Sequence, residues 1–380
     1  MQMECNMKVI KLSKSSITTA EKNAVLDVLE KEYLGMGLKV KEFEVKLSDY
    51  LGRTALCVAT GTAALQLAIE SCGIGRGDEV ICPSLTYVAS FQAISASGAT
   101  PIPCDVNLND LTISIEDLLK LITPRTRAIM IVHYAGIAAQ MGEILKIAKL
   151  NNLRVIEDAA HAFGSKYKGQ LIGSFGDITC FSFDGIKNIT SGEGGAVVTT
   201  NEETLNYVMD ARLLGVSKDT ENRYNGTRSW NFDVFNQGWR YHMSNIMAAI
   251  GIIQLDRLSL FITKRQKLVK RYIKKLNAAK GLELLNFNIS DCAPHIFVIK
   301  VNKSKRDYIR QELLKQGIET GLHYQPNHLL SFFKNQTVER KLPNTEEVWE
   351  QLITLPLHYD LAYKDVDKVC SALIKILDES

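Results

Sequence analysis

The sequence predicts an α/β fold organised around a mostly parallel sheet, because short apolar segments alternate regularly with helical patterns. From residue 55 onward, seven runs rich in apolar and β-branched residues recur along the chain. They are almost continuously apolar, which is typical of parallel strands that helices cover on both faces. Ligands bind at the carboxyl ends of the strands in such sheets. We therefore expect functional residues at the predicted strand ends.

The predicted elements follow one another without an internal repeat. The seven strands are predicted at residues 55–59, 79–83, 100–104, 128–133, 153–157, 178–183 and 196–200. Helical patterns lie near residues 62–72, 87–97, 114–121, 140–151 and 202–213. Two more helices precede the first strand. Thr18 and Glu21 form a capping box at the start of one, and apolar residues at helical spacing from Val40 to Leu51 mark the other.

A second, smaller unit is predicted in the C-terminal part of the chain. Residues 216–240 are polar and aromatic without a period, which indicates a long functional or interface loop. From Ser244 a helical pattern runs to about Ala279 and bends or breaks near Ser259. Strand candidates follow at 295–301 and 353–357, and helices at 304–316 and 365–378. We predict a large domain over residues 1–254, including the N-terminal segment, and a small α+β domain over 255–380.

Composition excludes several classes of function. The 380 residues carry a net charge of +3 with both signs interspersed, so no patch for nucleic acid is indicated. Eight cysteines without a CxxC pair predict reduced core thiols and no zinc or other metal site. The absence of an apolar signal segment and of a run of about 20 apolar residues predicts a cytoplasmic protein without a membrane span.

One lysine lies in a loop of small residues directly after a predicted strand. The stretch 181–195 begins as a strand, passes through Lys187 and ends in Gly192-Glu193-Gly194-Gly195. A lysine in such a frame suits a Schiff base with an aldehyde cofactor. A lone lysine among 45 basic residues is more often a solvated surface residue, so the other strand ends decide between the two interpretations.

The first and fifth strands end in residues that suit the same cofactor. Gly61 and Thr62 open a helix, whose N–H groups and dipole favour a phosphate; an ordinary capped helix start is the alternative. Asp158 ends a buried strand, where a protonated pyridine nitrogen would be a partner for its carboxylate; a helix N-cap is the alternative. His161 follows three residues later and can reach a phenolic oxygen, although a lone histidine is more often structural.

Two further residues complete the candidate site. Tyr87 follows the second strand and can stack on a flat cofactor, with a core aromatic residue as the alternative. Ser182 precedes Lys187 in the strand and can donate to a phosphate. The strand ends together supply a phosphate cradle, a stacking ring, a pyridinium partner and a Schiff-base lysine. Those are the parts needed to hold pyridoxal 5'-phosphate (PLP).

Motifs over nearly the whole chain resemble the DegT/StrS-type aminotransferases, which act on nucleotide-linked keto sugars. That family belongs to the aspartate aminotransferase-like, fold-type I PLP enzymes, so the resemblance implies an aspartate aminotransferase-like large domain with a mostly parallel seven-stranded sheet. The motifs occur at residues 61–65, 83–87, 157–164, 173–177, 181–187, 192–195, 238–245, 254–255 and 323–328.

The resemblance also implies roles for individual residues. Lys187 looks like the catalytic lysine that carries the cofactor, Asp158 like the pyridine-nitrogen partner, His161 like the neighbour of the ring hydroxyl and Tyr87 like the stacking residue. The phosphate binders implied are Gly61, Thr62, Ala63 and Ser182. The family works as homodimers with shared active sites, in which the partner subunit supplies residues from the segment 238–244.

That segment departs from the family pattern. The family commonly has Asn where this chain has Arg240, and Arg where it has His242. An arginine can bind phosphate through its planar, charged fork, so Arg240 from the partner subunit is a candidate cofactor contact. His242 lacks the obligatory charge that would bind the amino donor.

The resemblance implies a PLP-dependent aminotransferase acting on a nucleotide-linked 4-keto-6-deoxyhexose, with a dTDP-linked sugar favoured. The product would be a 4-amino-4,6-dideoxy sugar for a surface polysaccharide such as O-antigen, with glutamate as donor and 2-oxoglutarate as co-product. A C3 aminotransferase on a 3-keto-6-deoxy sugar nucleotide, a PLP-dependent sugar dehydratase and a non-catalytic sensor of the same fold remain as alternatives. The dehydratase branch has a histidine in place of the lysine, so Lys187 argues against it.

Candidate substrate contacts lie mainly in the long loop. Its basic and aromatic residues are candidates for the diphosphate and the base, and a solvated dimer-contact loop is the alternative. The candidate contacts to the substrate are Lys218, Arg228, Trp230, His242 and His323.

Overall fold

The computed structural model describes residues 9–336 and 340–379. Residues 1–8, with Cys5 among them, 337–339 and 380 belong to the predicted domains but lie outside the described residues. The α-helices are α1 Thr19–Glu30, α2 Leu38–Leu51, α3 Gly61–Ser71, α4 Ala89–Ala96, α5 Ile115–Leu121, α6 Met141–Leu150, α7 Glu202–Ala211, α8 Asp219–Tyr224, α9 Asn245–Asp256, α10 Leu258–Leu276, α11 Arg306–Lys315, α12 Ser331–Lys334, α13 Pro343–Trp349 and α14 Tyr363–Glu379. The strands are β1 Thr54–Val58, β2 Glu79–Pro83, β3 Thr100–Cys104, β4 Thr126–Val132, β5 Arg154–Asp158, β6 Lys166–Tyr167, β7 Gln170–Leu171, β8 Ile178–Ser182, β9 Gly195–Thr199, β10 Leu282–Leu284, β11 Phe297–Val301 and β12 Leu352–Leu355.

Seven of these strands form one sheet in the order β1-β9-β8-β5-β4-β2-β3. Only β9 runs against its neighbours β1 and β8, so the predicted mostly parallel seven-stranded sheet is confirmed. The carboxyl ends of β1, β2, β4, β5 and β8 consequently lie at one edge, together with the start of β9. This edge brings together residues that are far apart in the sequence.

The apolar runs are continuous because each face of the sheet has its own core. In β2, Val80 and Cys82 pack into one cluster with the helices of one layer, whereas Ile81 packs into the cluster on the opposite face. The same alternation occurs in β4, where Met130 and Ile131 belong to different clusters. Burial on both faces leaves few polar side chains inside the strands, and the completely buried Glu157 of β5 is paired with His133 at 3.0 Å.

The C-terminal part forms a three-stranded antiparallel sheet in the order β10-β11-β12. Helices α10, α11 and α14 pack on it through a separate apolar cluster. The helical pattern that starts at Ser244 breaks at Arg257, where α9 and α10 meet at 61°. Within the described ranges no single helix is long and apolar enough to cross a membrane, and this bent pair alone passes by length and composition.

The region 216–240 contains a short helix, α8, where the sequence predicted only an irregular loop. Its position is set by a buried polar network. Arg212 is completely buried and donates at 2.5 Å to Glu44 and at 2.9 Å to the Tyr224 hydroxyl, which in turn donates to Glu44. The two contacts to Glu44 join residues over 160 positions apart in sequence, so no local pattern indicates them.

Candidate active site

A cavity of about 370 Å³ lies at the carboxyl edge of the seven-stranded sheet. Many of the predicted cofactor residues line it, namely Gly61, Thr62, Tyr87, Asp158, His161, Ser182 and Lys187, and the candidate substrate contact His323 lines it too. The parallel strands account for this convergence, because the loops that follow β1, β2, β5 and β8 all open at the same edge.

Lys187 stands in a loop that is tied back onto its own strand. The Phe183 N–H donates to the Gly194 carbonyl at 2.8 Å, and the Ser191 N–H donates to the Phe183 carbonyl at 2.8 Å. The Lys187 side chain is half-buried and lines the cavity. Burial lowers the pKa of its amine, while the charges of Asp158 and Asp184 raise it. The balance favours the neutral amine more than in a solvated lysine, which suits a nucleophile.

Asp158 is the last residue of β5, and it is 5% exposed. Its Oδ2 accepts a hydrogen bond of 2.6 Å from the Ser90 hydroxyl, and its Oδ1 accepts one of 3.2 Å from the Ala160 N–H. Burial raises the pKa of this carboxyl, and the two hydrogen bonds oppose that rise. Among the described residues no cation lies within salt-bridge distance of it. A protonated ring nitrogen would supply the missing positive charge.

The start of α3 and the end of β8 approach each other closely. A Cβ on Gly61 would lie 2.8 Å from the Ser182 Cβ, and a Cβ on Gly195 would lie 2.5 Å from the Thr60 carbonyl oxygen. The Thr60 hydroxyl caps the helix by accepting the Ala63 N–H at 3.0 Å. The N–H of Ala63 is therefore engaged, whereas those of Gly61 and Thr62 have no partner within the helix.

His161 lies in a group of rings between the seven-stranded sheet and residues of the C-terminal part of the chain. Its Nε2 is 3.0 Å from the Tyr324 hydroxyl, and its ring centroid is 4.4 Å from that of His295. Burial lowers the pKa of the His161 imidazole well below its ordinary value, and the nearby charges of Lys187 and His323 act in the same direction. His161 is consequently neutral at physiological pH.

Tyr87 is at the mouth of the cavity and is 57% exposed. Its ring lies 5.6 Å from that of Tyr324, which also lines the cavity. The loop that carries Tyr87 is held by Asn327, whose Nδ2 donates to the Thr86 carbonyl at 2.9 Å and the Ser84 carbonyl at 3.1 Å. Asn327, which lies in the C-terminal part of the chain, therefore helps to position the loop that follows β2.

Several candidate contacts do not line the cavity of their own chain. They are Lys218, Arg228, Trp230, Arg240 and His242. Trp230 is 88% exposed and Arg240 is exposed. The segment around Arg240 runs beside β1, where Val58 pairs with His242. Burial lowers the pKa of His242 to about 4, helped by the charges of Arg240, Arg223 and Arg212, so His242 is neutral.

The cavity also contains residues to which the sequence assigned no role. Asp184, Glu193, Thr86 and Tyr324 line it, and Ser90 contacts Asp158 from behind. Tyr324 lies within one of the resembling motifs, but nothing in the sequence indicates its contact with His161. The Ser90 contact depends on how α4 packs beside β5, and no sequence signal indicates it.

The lining residues fit PLP. The approach of Gly61 to Ser182 leaves helix N–H groups and a hydroxyl for a phosphate, and the Asp158 carboxylate lacks a cation that the pyridinium would provide. Lys187 presents an amine of lowered pKa to the same cavity. An α/β fold with these groups at one sheet edge defines a PLP-dependent enzyme of the aspartate aminotransferase type.

The chain belongs to the DegT/DnrJ/EryC1/StrS aminotransferase family, whose model matches residues 15–374. It is 36% identical over 363 residues to the spore coat polysaccharide biosynthesis protein SpsC of Bacillus subtilis, and the match covers 93% of each chain.

Solved structures of other aminotransferases superpose closely on the chain. PseC of Helicobacter pylori, an aminotransferase in pseudoaminic acid biosynthesis, matches with a TM-score of 0.91 at 27% identity, over 98% of this chain and 100% of that one. The PLP form of Spr1654 from Streptococcus pneumoniae matches with a TM-score of 0.89 at 30% identity, over 98% and 99% of the two chains, and a PMP form is also known. The protein is a PLP-dependent sugar aminotransferase.

Proposed function

We propose that this enzyme transfers the amino group of glutamate to a nucleotide-linked 4-keto-6-deoxyhexose, with the dTDP-linked sugar favoured. The products are the 4-amino-4,6-dideoxy sugar nucleotide and 2-oxoglutarate. The observation that carries the proposal is Lys187 in one cavity with Asp158 and the Gly61–Ser182 approach, because these groups suit the cofactor chemistry of transamination. A sugar dehydratase of the same fold is disfavoured by the lysine, and a sensor has no use for an amine of lowered pKa.

Each side chain has a distinct task in the proposed mechanism. PLP, when bound, supplies the electron sink that stabilises a carbanion at the substrate carbon. Asp158 holds a proton on the ring nitrogen, and neutral His161 contacts the ring hydroxyl. Gly61, Thr62 and Ser182 bind the phosphate, while Tyr87 covers one face of the ring.

Lys187 is the proton carrier of the proposed reaction. Its Nζ would hold the cofactor covalently at rest and would be free once the amino donor is bound. The free Nζ would then take the proton from the α-carbon of glutamate as a base and return that proton as an acid. For the keto sugar the same atom works in reverse. Its lowered pKa favours this use, because a base must be unprotonated before it can accept a proton.

The charge of the cavity supports a homodimer with shared sites. Among the described lining residues, the charged side chains are the carboxylates Asp158, Asp184 and Glu193 and the amine of Lys187. PLP, glutamate and a sugar nucleotide are all anionic, so further cations are needed. Arg240 is exposed and lies outside the cavity of its own chain, and we propose that it reaches the phosphate of the partner's site.

The long loop is proposed to carry the nucleotide contacts. Lys218, Arg228 and Trp230 supply positive charge and an exposed ring, which suit a diphosphate and a base. His323 lines the cavity and is proposed to lie beside the sugar. His242 is neutral and therefore cannot supply a charge to the donor carboxylate. The described cysteines are free, which is consistent with the proposed cytoplasmic location.

One of the named relatives favours a product destined for a surface polysaccharide. SpsC is a spore coat polysaccharide protein, and PseC works in pseudoaminic acid biosynthesis. A 3-keto-6-deoxy sugar nucleotide with amination at C3 is the second candidate. The pattern of residues 241–245 favours C4 by resemblance alone.

The deciding experiment presents the purified enzyme and glutamate with dTDP-, UDP- and GDP-linked 4-keto and 3-keto sugars. NMR of the product locates the new amine on its carbon. We expect turnover of 4-keto-6-deoxy sugars and an amine at C4. Exclusive amination at C3 would establish the second candidate, and glutamate-dependent change of the cofactor absorbance without any sugar product would reject both sugars.

A further inference from the structure

The Ser90 side chain contacts Asp158 from outside the cavity. Asp158 is the proposed partner of the pyridine nitrogen. Its hydroxyl donates to Asp158 Oδ2 over 2.6 Å. Ser90 is the second residue of α4, and it is 0% exposed. A hydroxyl buried this completely needs a hydrogen-bond partner. A carboxylate is a stronger acceptor than a neutral oxygen because it carries a charge. One oxygen of the Asp158 carboxylate is therefore held by helix α4.

A second hydroxyl orients the first. Thr86 Oγ1 lies 3.1 Å from Ser90 Oγ. Because Ser90 donates its only proton to the carboxylate, Thr86 is the donor in this contact. The backbone of Thr86 is fixed in turn, since Asn327 Nδ2 donates to its carbonyl at 2.9 Å. The result is a directed chain of hydrogen bonds from Thr86 through Ser90 to Asp158.

We propose that Ser90, oriented by Thr86, is a positioning residue that keeps the Asp158 carboxylate ionised and aimed at the ring nitrogen of the bound cofactor. The inference rests on the role proposed above for Asp158. A hydrogen bond donated to a carboxylate stabilises its charged form. An ionised carboxylate also binds a protonated ring nitrogen more strongly than a neutral acid does.

The surroundings of Asp158 show why such a donor is needed. Burial raises the pKa of this carboxyl, and the Ser90 hydrogen bond makes the largest opposing contribution. The remaining ionisable groups that act on it are Lys187, His133, Cys82, Cys180 and Tyr324. The two thiols and the phenol stay neutral, because burial raises the pKa of each.

The Ser90→Ala holoenzyme tests the inference through two readouts other than turnover. We expect PLP to bind about tenfold more weakly, since a hydrogen bond to a charged group is lost. The pH midpoint of the cofactor absorbance should rise, because the proton shifts from the ring nitrogen towards Asp158 and the ring loses positive charge. Ser90→Thr keeps the hydroxyl and should retain both wild-type values. Thr86→Val should produce a smaller change in the same directions.

Ser95→Ala is the matched control. Ser95 lies in the same helix, and its buried hydroxyl has no hydrogen-bond partner among the described residues. Thermal unfolding of every variant separates a loss of folding from a local effect. If Ser90→Ala behaves like Ser95→Ala while Asp158→Asn weakens PLP binding, the inference about Ser90 is wrong. If Asp158→Asn itself leaves PLP binding and the pH midpoint unchanged, the proposed role of Asp158 fails instead.

Discussion

At the carboxyl edge of the sheet, Asp158 and Ser182 are 5% and 8% exposed, whereas Trp230 and Phe235 in the loop 225–237 are 88% and 75% exposed. The edge residues are fixed by strands that are covered on both faces. The loop is attached through α8, whose Tyr224 contacts Arg212, and through the bridge between Val216 and Val234. Under the proposed function, the chemistry therefore lies in the buried region and the substrate contacts lie in a region that packing within one chain leaves exposed.

The strongest test of the rigid region is Lys187→Ala. We expect a loss of turnover of at least about 1,000-fold, since both the cofactor link and the proton carrier are removed. Steady-state rates with glutamate measure the loss. Lys146→Ala removes an exposed lysine of α6 and should leave the rate unchanged. Retained turnover in the Lys187 variant would refute the mechanism.

Arg212→Met tests the attachment between the two regions. The variant leaves Glu44 buried without its cation, so the free energy of unfolding should fall by about 3–5 kcal/mol. Denaturant unfolding measures this, and limited proteolysis should cut the loop 225–237 faster. Arg271→Met is the control, because its pair with Asp367 is partly exposed and solvent weakens it. Equal effects of the two variants would contradict the network's structural role.

Asp158→Asn affects the chemistry without removing the lysine. We expect a fall in turnover of roughly 100-fold, because a charged partner of the ring nitrogen becomes neutral. The cofactor spectrum should show that Lys187 still binds PLP. The glutamate half-reaction, followed in single-turnover absorbance, measures the effect. A normal half-reaction rate would exclude Asp158 as the ring-nitrogen partner.

Arg240→Ala tests whether the exposed region serves a neighbouring subunit. We expect PLP to bind about tenfold more weakly, which corresponds to one lost charge-assisted contact. Co-expressing this variant with Lys187→Ala distinguishes a contact in the partner's site from a contact within the same subunit. A mixed dimer regains one intact site only if Arg240 acts across the interface. Mixed dimers that show no recovery would place Arg240 in its own subunit's site or outside both sites.

Trp230→Ala should have the smallest effect. We expect KM for the sugar nucleotide to rise about three- to tenfold, as for the loss of one aromatic contact, with the glutamate half-reaction unchanged. Phe332→Ala removes another exposed ring, on α12, and should leave KM unaltered. An unchanged KM in the Trp230 variant would favour the solvated dimer-contact loop.

Much of the site was predictable because its residues occupy strand ends. Asp158 and Lys187 follow continuous apolar runs, and parallel strands bring such positions to one edge whatever their separation in sequence. Ser90 was not predictable, because its hydroxyl reaches Asp158 only through the packing of α4, 68 residues away along the chain.

The sequence by itself determined the strands, their burial on both faces and the order of lysine, carboxylate and glycine along the chain. These are local properties, set by composition and period. Only the tertiary structure decided which hydroxyl holds Asp158, which ring contacts His161 and which candidate residues lie outside the cavity. Those contacts depend on side-chain directions and on packing between elements. Short-range sequence patterns predict neither of these.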